Sequence, residues 1–275
     1  MTPAERVPES PAGLFVPLDD GCIHVVDEGD PAAAALLLIH GSGASLRSWD
    51  PVVPILAVSH RVIRIDLLGH GLSGKPPDGD YTTPSQGRRA ADVLDHLGIA
   101  QATVVAHSSG GLAATALTEH RRDLVAALTL IDTGPDMSAF VGPNLSISPA
   151  EWPDLTDAQI RSFMTSAFSR GDYRIPQQLI DDVRRMTLHT FAATMAANRD
   201  YLLERALPER LAPLAPPLLV VFGDEDRRWR PSSAHDYRRV PGARVELLHG
   251  LGHSPMLEDP ERTASHIVAF AHGSR

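Results

Sequence analysis

The chain has 275 residues, of which 43% are hydrophobic and 21% charged, and a formal net charge of −9. That length suits one large domain, or a core with an inserted subdomain, and the composition is that of a soluble globular enzyme whose core needs no staples. The negative balance argues against non-specific nucleic-acid binding and against docking to an anionic membrane, while the lone Cys22 excludes an internal disulfide and any cysteine-built metal site.

Residues 1–12 hold three prolines and two glutamates, without the basic and apolar regions of a secretory leader. The longest apolar run, 32–39, is strand length, well short of the ~18 residues that suggest a membrane span. A cytoplasmic location is the expectation. Residues 14–18 and 22–27 read as antiparallel strands, with Asp20-Gly21 as the hairpin signal. Residues 35–39 are apolar without alternation, as in a strand covered on both faces. Further strands are expected over 60–66, 103–106, 126–131, 218–222 and 245–248. Thr83 can cap a helix, with Pro84 in its first turn and Gln86 at capping-box spacing, ending at Gly98. Gly110-Gly111-Leu112-Ala113-Ala114 starts a second helix, small enough to approach a sheet closely. The last helix begins at Asp259-Pro260 and places Ala264, Ile267, Val268 and Ala271 on one face. This alternation predicts an α/β fold: a doubly wound, mostly parallel, eight-stranded sheet with helices on both faces.

Between residues 134 and 214 no strand is legible. Ser148-Pro149-Ala150-Glu151 and Thr156-Asp157-Ala158-Gln159 are capping-box patterns, and Phe163, Met164 and Phe168, then Phe191 and Met195, have helical spacing. The segment is too long for a structureless loop and reads as a helical insertion over the carboxyl ends of the strands, where open α/β sheets bind ligands. Asn144-Leu145-Ser146 matches a glycosylation sequon, read as a chance match because nothing else suggests secretion.

Val104-Val105-Ala106-His107-Ser108-Ser109-Gly110-Gly111 runs an apolar strand into small–x–Ser–x–Gly and then a helix. Such a turn is strained, so the positions two before and two after the serine must be small. Ala106 and Gly110 flank Ser108 in this way. Ser109 would have His107 at the first of these positions, so Ser108 is the expected nucleophile. Leu38-Ile39-His40-Gly41-Ser42-Gly43 closes an early strand. Acyl transfer needs two fixed N–H donors for the oxyanion, and the backbones of Ser42 and Ser109 are the candidates. His40, Gly41 and Gly43 are expected beside the substrate. Gly223-Asp224-Glu225-Asp226 closes a late strand with three candidate acids. Gly250-Leu251-Gly252-His253-Ser254-Pro255 follows the last strand and offers His253 as the base.

In order, His40-Gly41-Ser42-Gly43, Asp66-Leu67-Leu68-Gly69-His70-Gly71-Leu72-Ser73, the Ser108 turn, and His253-Ser254-Pro255 with Glu258 and Pro260 resemble the motifs of the α/β-hydrolase fold superfamily, in its subgroup with a helical cap. The resemblance covers nearly the whole chain. It implies a core over 1–134 and 215–275 and a cap over 135–214. It also assigns Asp226 as the acid partner of His253, with Asp224, Glu225 and Asp132 as alternatives, and makes the Asp66 turn a support of the active-site floor. The implied activity is hydrolysis of a carboxylic ester or lactone through an acyl-enzyme, with no metal or organic cofactor. A small, largely apolar molecule is the expected partner of a monomer or homodimer. Hydrolysis of a carbon–carbon bond in a vinylogous diketone, or a ligand receptor on the same scaffold, are the alternatives. Ser108 excludes the relatives that use a carboxylate at that turn. Trp152, Phe163, Phe168 and Phe191 are expected to line the pocket. Arg227, Arg228 and Arg230 are expected on a solvated face, with recognition of an anionic substrate as the other reading.

Overall fold

The computed structural model describes residues 13–143 and 147–273. The sequon and residues 1–12 therefore lie outside the described residues. The strands are β1 (Leu14–Leu18), β2 (Gly21–Glu28), β3 (Ala35–Ile39), β4 (Arg61–Ile65), β5 (Ala102–His107), β6 (Val125–Ile131), β7 (Leu218–Gly223) and β8 (Arg244–Leu248). They form one sheet in the order β1-β2-β4-β3-β5-β6-β7-β8. Only the pairings of β2 with β1 and β4 are antiparallel. Leu18 pairs with Gly21, so the β1–β2 turn is Asp19-Asp20, one residue earlier than expected.

The helices are α1 (Val53–Leu56), α2 (Thr83–His96), α3 (Gly110–His120), α4 (Asp157–Met164), α5 (Gln177–Arg185), α6 (Leu188–Glu204), α7 (Leu207–Leu211), α8 (Pro255–Glu258) and α9 (Pro260–Gly273). Successive side chains of a strand point to opposite faces, and the core divides accordingly. Leu37 and Ile39 of β3 pack with α2 and α3, while Leu36 and Leu38 pack with α1 and α9. The central strands β3, β5 and β7 are buried at every position, which is why they read as unbroken apolar runs.

The start of α2 differs from expectation. Its N-cap is Thr82, and that side chain makes no capping bond. Gln86 is instead drawn to the core, where it donates to the Leu68 carbonyl at 3.0 Å and accepts from the Leu68 N–H at 3.2 Å. Thr83 reaches across to Asn198 of α6. Between β6 and β7 the described residues form helices α4 to α7 and 3-10 turns, without a strand. Thr156 and Gln159 complete the expected capping box at α4. Ser148 and Glu151 make the expected side-chain contact, but it precedes only the 3-10 turn Trp152–Asp154. Part of this segment has its own apolar cluster, including Ile160, Phe168 and Ile180. Its end returns to the main core, which Leu202, Leu207 and Leu211 join. No helix among the described residues is long and apolar enough to cross a membrane.

Candidate active site

The chain leaves β5 at His107 and turns into α3 through Ser108, whose φ is +52°. A left-handed backbone costs energy for any residue other than glycine, so neighbours must hold it. The Ser108 N–H donates to the Ile131 carbonyl at 2.8 Å, and Thr133 Oγ1 donates to the Ser108 carbonyl at 2.9 Å. A Cβ at Gly110 would lie 2.4 Å from the His40 carbonyl oxygen, so only glycine fits there.

Ser108 Oγ lies 2.9 Å from His253 Nε2. His253 Nδ1 lies 2.9 Å from Asp226 Oδ2. An ionised carboxylate can only accept, so Nδ1 carries the proton and Nε2 is left to accept from Ser108. His253 is fully buried and Asp226 nearly so. Burial opposes charge on Asp226, yet the neighbouring His253 and the N–H groups of Arg228 and Trp229 hold its carboxyl below the usual range. Two of the alternative acids are engaged elsewhere or exposed. Asp224 accepts from His249 and the Gly250 N–H, and Glu225 is exposed. Asp132 is buried, and burial together with the Asp226 charge pushes its carboxyl well up. The shift favours its neutral form, which can donate from Oδ2, an atom without a hydrogen-bond partner in the protein. Asp132, Asp226 and His253 place one atom each within 4.8 Å of one another. A cation there would have to displace a bond that one of the His253 nitrogens already makes.

Three supports were only partly legible in the sequence. His107 is held neutral by burial, and its Nε2 donates to the His253 carbonyl at 2.7 Å, tying the turn to the histidine loop. Glu258 accepts from the Gly252 N–H beside His253 and from Ser169 in the insertion. Asp66 accepts from the Leu46 and Leu72 N–H groups and pairs with His24, so its pKa falls to about 2 although burial opposes this. A Cβ at Gly71 would overlap the Asp66 carboxylate at 2.2 Å, which gives that turn its glycine.

Ser42, Ser108 and Ser109 line a cavity of about 410 Å³, mostly apolar, between the strand ends and the insertion. Ser42 Oγ donates to Ser109 Oγ at 2.7 Å, which fixes the two loops against each other. Among the described residues, neither the Ser42 nor the Ser109 backbone N–H donates to another protein group. Phe163 and Phe191 line the cavity. The other expected lining residues stand outside it. Trp152 packs behind Phe191 and donates to the Met186 carbonyl. Phe168 stacks on Tyr173 within the insertion. His40 is buried, accepts from the Leu67 N–H through Nε2 and bonds the Gly41 carbonyl through Nδ1, so it braces the loop. Gly41 lies against His107 and Ser108, and Gly43 turns the loop beside Val183 and Phe191. Arg228, expected on a solvated face, is half-buried and lines the cavity, as do Asn198, Arg199 and Trp229. Nothing in sequence spacing distinguishes Arg228 from its exposed neighbours Arg227 and Arg230.

The model of the alpha/beta hydrolase family matches residues 36–266. Lipase 1 of Psychrobacter immobilis is 28% identical over 258 residues, covering 89% of this chain and 78% of the lipase. A Bacillus subtilis protein provisionally named 2-succinyl-6-hydroxy-2,4-cyclohexadiene-1-carboxylate synthase is 26% identical over 277 residues, covering 93% of this chain and 97% of that protein. Among solved structures, a bacterial membrane phospholipase A superposes with a TM-score of 0.78 at 26% identity, covering 96% of this chain and 86% of the other. The sheet order, the left-handed serine turn and the family match lead to one assignment: the chain belongs to the alpha/beta hydrolase family.

Proposed function

We propose that this protein is a serine hydrolase that cleaves a carboxylic ester or lactone of a small, largely apolar molecule through an acyl-enzyme. The observation that carries the reading is the chain Ser108 Oγ–His253 Nε2, His253 Nδ1–Asp226, with both links at 2.9 Å, opening at Ser108 on an apolar cavity. His253 takes the Ser108 proton as Oγ attacks the carbonyl carbon, and Asp226 fixes the imidazole tautomer and stabilises the imidazolium. The Ser42 and Ser109 N–H groups hold the oxyanion. His253 then protonates the leaving oxygen, and water activated by the same ring releases the acid. Residues 135–214 act as a cap, in which α4 and α6 bring Phe163 and Phe191 over the serine. The cavity volume suits a small ligand rather than a bulky one. The name of the Psychrobacter relative agrees with ester cleavage.

The test is a panel of esters, lactones and vinylogous diketones assayed with native protein and Ser108→Ala. Hydrolysis of esters or lactones that disappears in Ser108→Ala is expected. Ester activity that survives the substitution would sink the mechanism, and activity confined to a diketone would reassign the reaction to carbon–carbon cleavage.

A further inference from the structure

Building on the hydrolase reading, we propose that the substrate carries an anionic group, a carboxylate or similar oxyanion, and that Arg228 binds it inside the cavity, with Arg199 assisting at the rim.

The charge of the cavity runs against the charge of the chain. Acidic residues outnumber Lys and Arg by 34 to 25, yet among the described residues the cavity is lined by two arginines and no carboxylate. Most of the remaining lining, including Leu112, Phe140 and Phe163, is apolar, with serines and Asn198 as the other polar groups. This is the lining for an amphiphile with an apolar body and one negative end.

Arg228 also differs from the other inward-facing arginines. Arg64 pairs with Glu28 and Asp50, Arg89 with Asp20, and Arg210 with Glu119 and Glu204. Among the described residues no carboxylate lies within the 4 Å ion-pair distance of the Arg228 guanidinium. Its recorded partners are the Ser166 hydroxyl at 3.2 Å and the Phe163 carbonyl at 3.4 Å. A guanidinium has five N–H donors in a planar fork that matches a carboxylate in two parallel bonds. Two neutral acceptors leave much of that fork unused. Burial lowers the Arg228 pKa, and the charge of Asp226 only partly offsets it, so a ligand anion would relieve a real desolvation cost. The backbone N–H of Arg228 is anchored on Asp226, which fixes the root of the side chain beside the reacting groups. Arg199 is exposed on α6 next to Asn198 and makes no ion pair among the described residues.

The alternative role for Arg228 is structural, a tie from the Asp226 loop to α4 and the 3-10 turn after it. Two matched substrate pairs separate the roles. One pair is the para-nitrophenyl monoester of adipic acid against para-nitrophenyl hexanoate, with charge on the acyl side. The other is the butyryl ester of para-hydroxybenzoate against that of its methyl ester, with charge on the leaving group. Native protein is expected to favour the charged member of at least one pair by about tenfold or more in kcat/KM. Arg228→Gln should erase that preference, mainly through KM, and Arg228→Lys should restore part of it. Arg199→Gln should weaken it by about threefold, as befits an exposed charge. A binding arm needs no turnover: in Ser108→Ala, Trp229 fluorescence should respond to monomethyl adipate at lower concentration than to dimethyl adipate. Equal rates and equal binding within every pair would overturn the proposal, as would an Arg228→Gln variant that slows both members alike. If no ester is cleaved but monomethyl adipate still binds preferentially through Arg228, the anion site stands and the hydrolase reading falls.

Discussion

The strand-end loops and the helical insertion both face the cavity, and they are built by different rules. In the loops the side chains of Ser108, His253 and Asp226 are held by specific hydrogen bonds, and a single added carbon at Gly110 or Gly71 collides with its neighbours. In the insertion, apolar side chains share the lining, and Met195 remains 41% exposed beside it. On the proposed mechanism, the loops fix which atoms react. On the same proposal, the insertion sets what fits through the apolar side chains it lends to the lining. Substitutions in the first region should act on kcat and those in the second on KM or stability.

The largest expected effect is in the loops. Ser108→Ala or His253→Ala should lower kcat on a cleaved ester by about 10⁴- to 10⁶-fold, measured by steady-state kinetics on folded protein. Next come the two buried carboxyls. Asp226→Asn should cost about 10³- to 10⁴-fold in kcat, because the amide favours the wrong imidazole tautomer. Asp132→Asn should cost less than about tenfold, because burial and the Asp226 charge favour the neutral form of Asp132. The opposite ranking would move the acid to Asp132 and break the account of the loops.

The insertion offers a milder contrast. Phe168 is 1% exposed and stacked on Tyr173, away from the cavity. Phe168→Ala should destabilise the protein by about 3–5 kcal/mol, a fall of roughly 10 °C in Tm, with KM little changed for the molecules that still fold. Phe191→Ala should do the reverse, raising KM several-fold with a smaller loss in Tm. Thermal melts and kinetics on both variants check this.

The smallest effect concerns the seam between the regions. Asp182 of α5 accepts from Ser45 Oγ at 2.6 Å, and burial pushes its carboxyl up to about 6 although that bond opposes the shift. A raised carboxyl favours its neutral form in the folded state. Its contribution to stability is thus present below about pH 4 and lost as pH rises through about 6. Asp182→Asn removes the charged state, so its Tm relative to native protein should be higher near pH 8 than near pH 4.5, by about 2 °C or more. A pH-independent difference would show that Asp182 does not titrate at this seam.

What could be read from the sequence follows the same division. The eight strands, the Ser108 turn and the positions of Asp226 and His253 at strand ends were legible because steric rules leave few residues able to stand there. Ala106 and Gly110 could be recognised as small without knowing their contacts. The Gln86 capping box was misread because a buried backbone group at Leu68 competes for the same amide. In the insertion, Trp152, Phe163, Phe168 and Phe191 were indistinguishable by type and spacing, since packing and lining use the same apolar side chains. Two of the four line the cavity, and two pack outside its lining. Arg228 was illegible for a related reason: sequence shows three arginines after the acid but not which of them turns inward.

The central claim is that Ser108, activated by His253, forms a covalent acyl-enzyme. The most direct measurement is intact-mass and peptide-mapping mass spectrometry after exposure of native protein to a fluorophosphonate. The account predicts one adduct per chain, located on Ser108, lost in Ser108→Ala and strongly slowed in His253→Ala. An adduct on Ser109, or native protein that resists labelling as Ser108→Ala does, would contradict it.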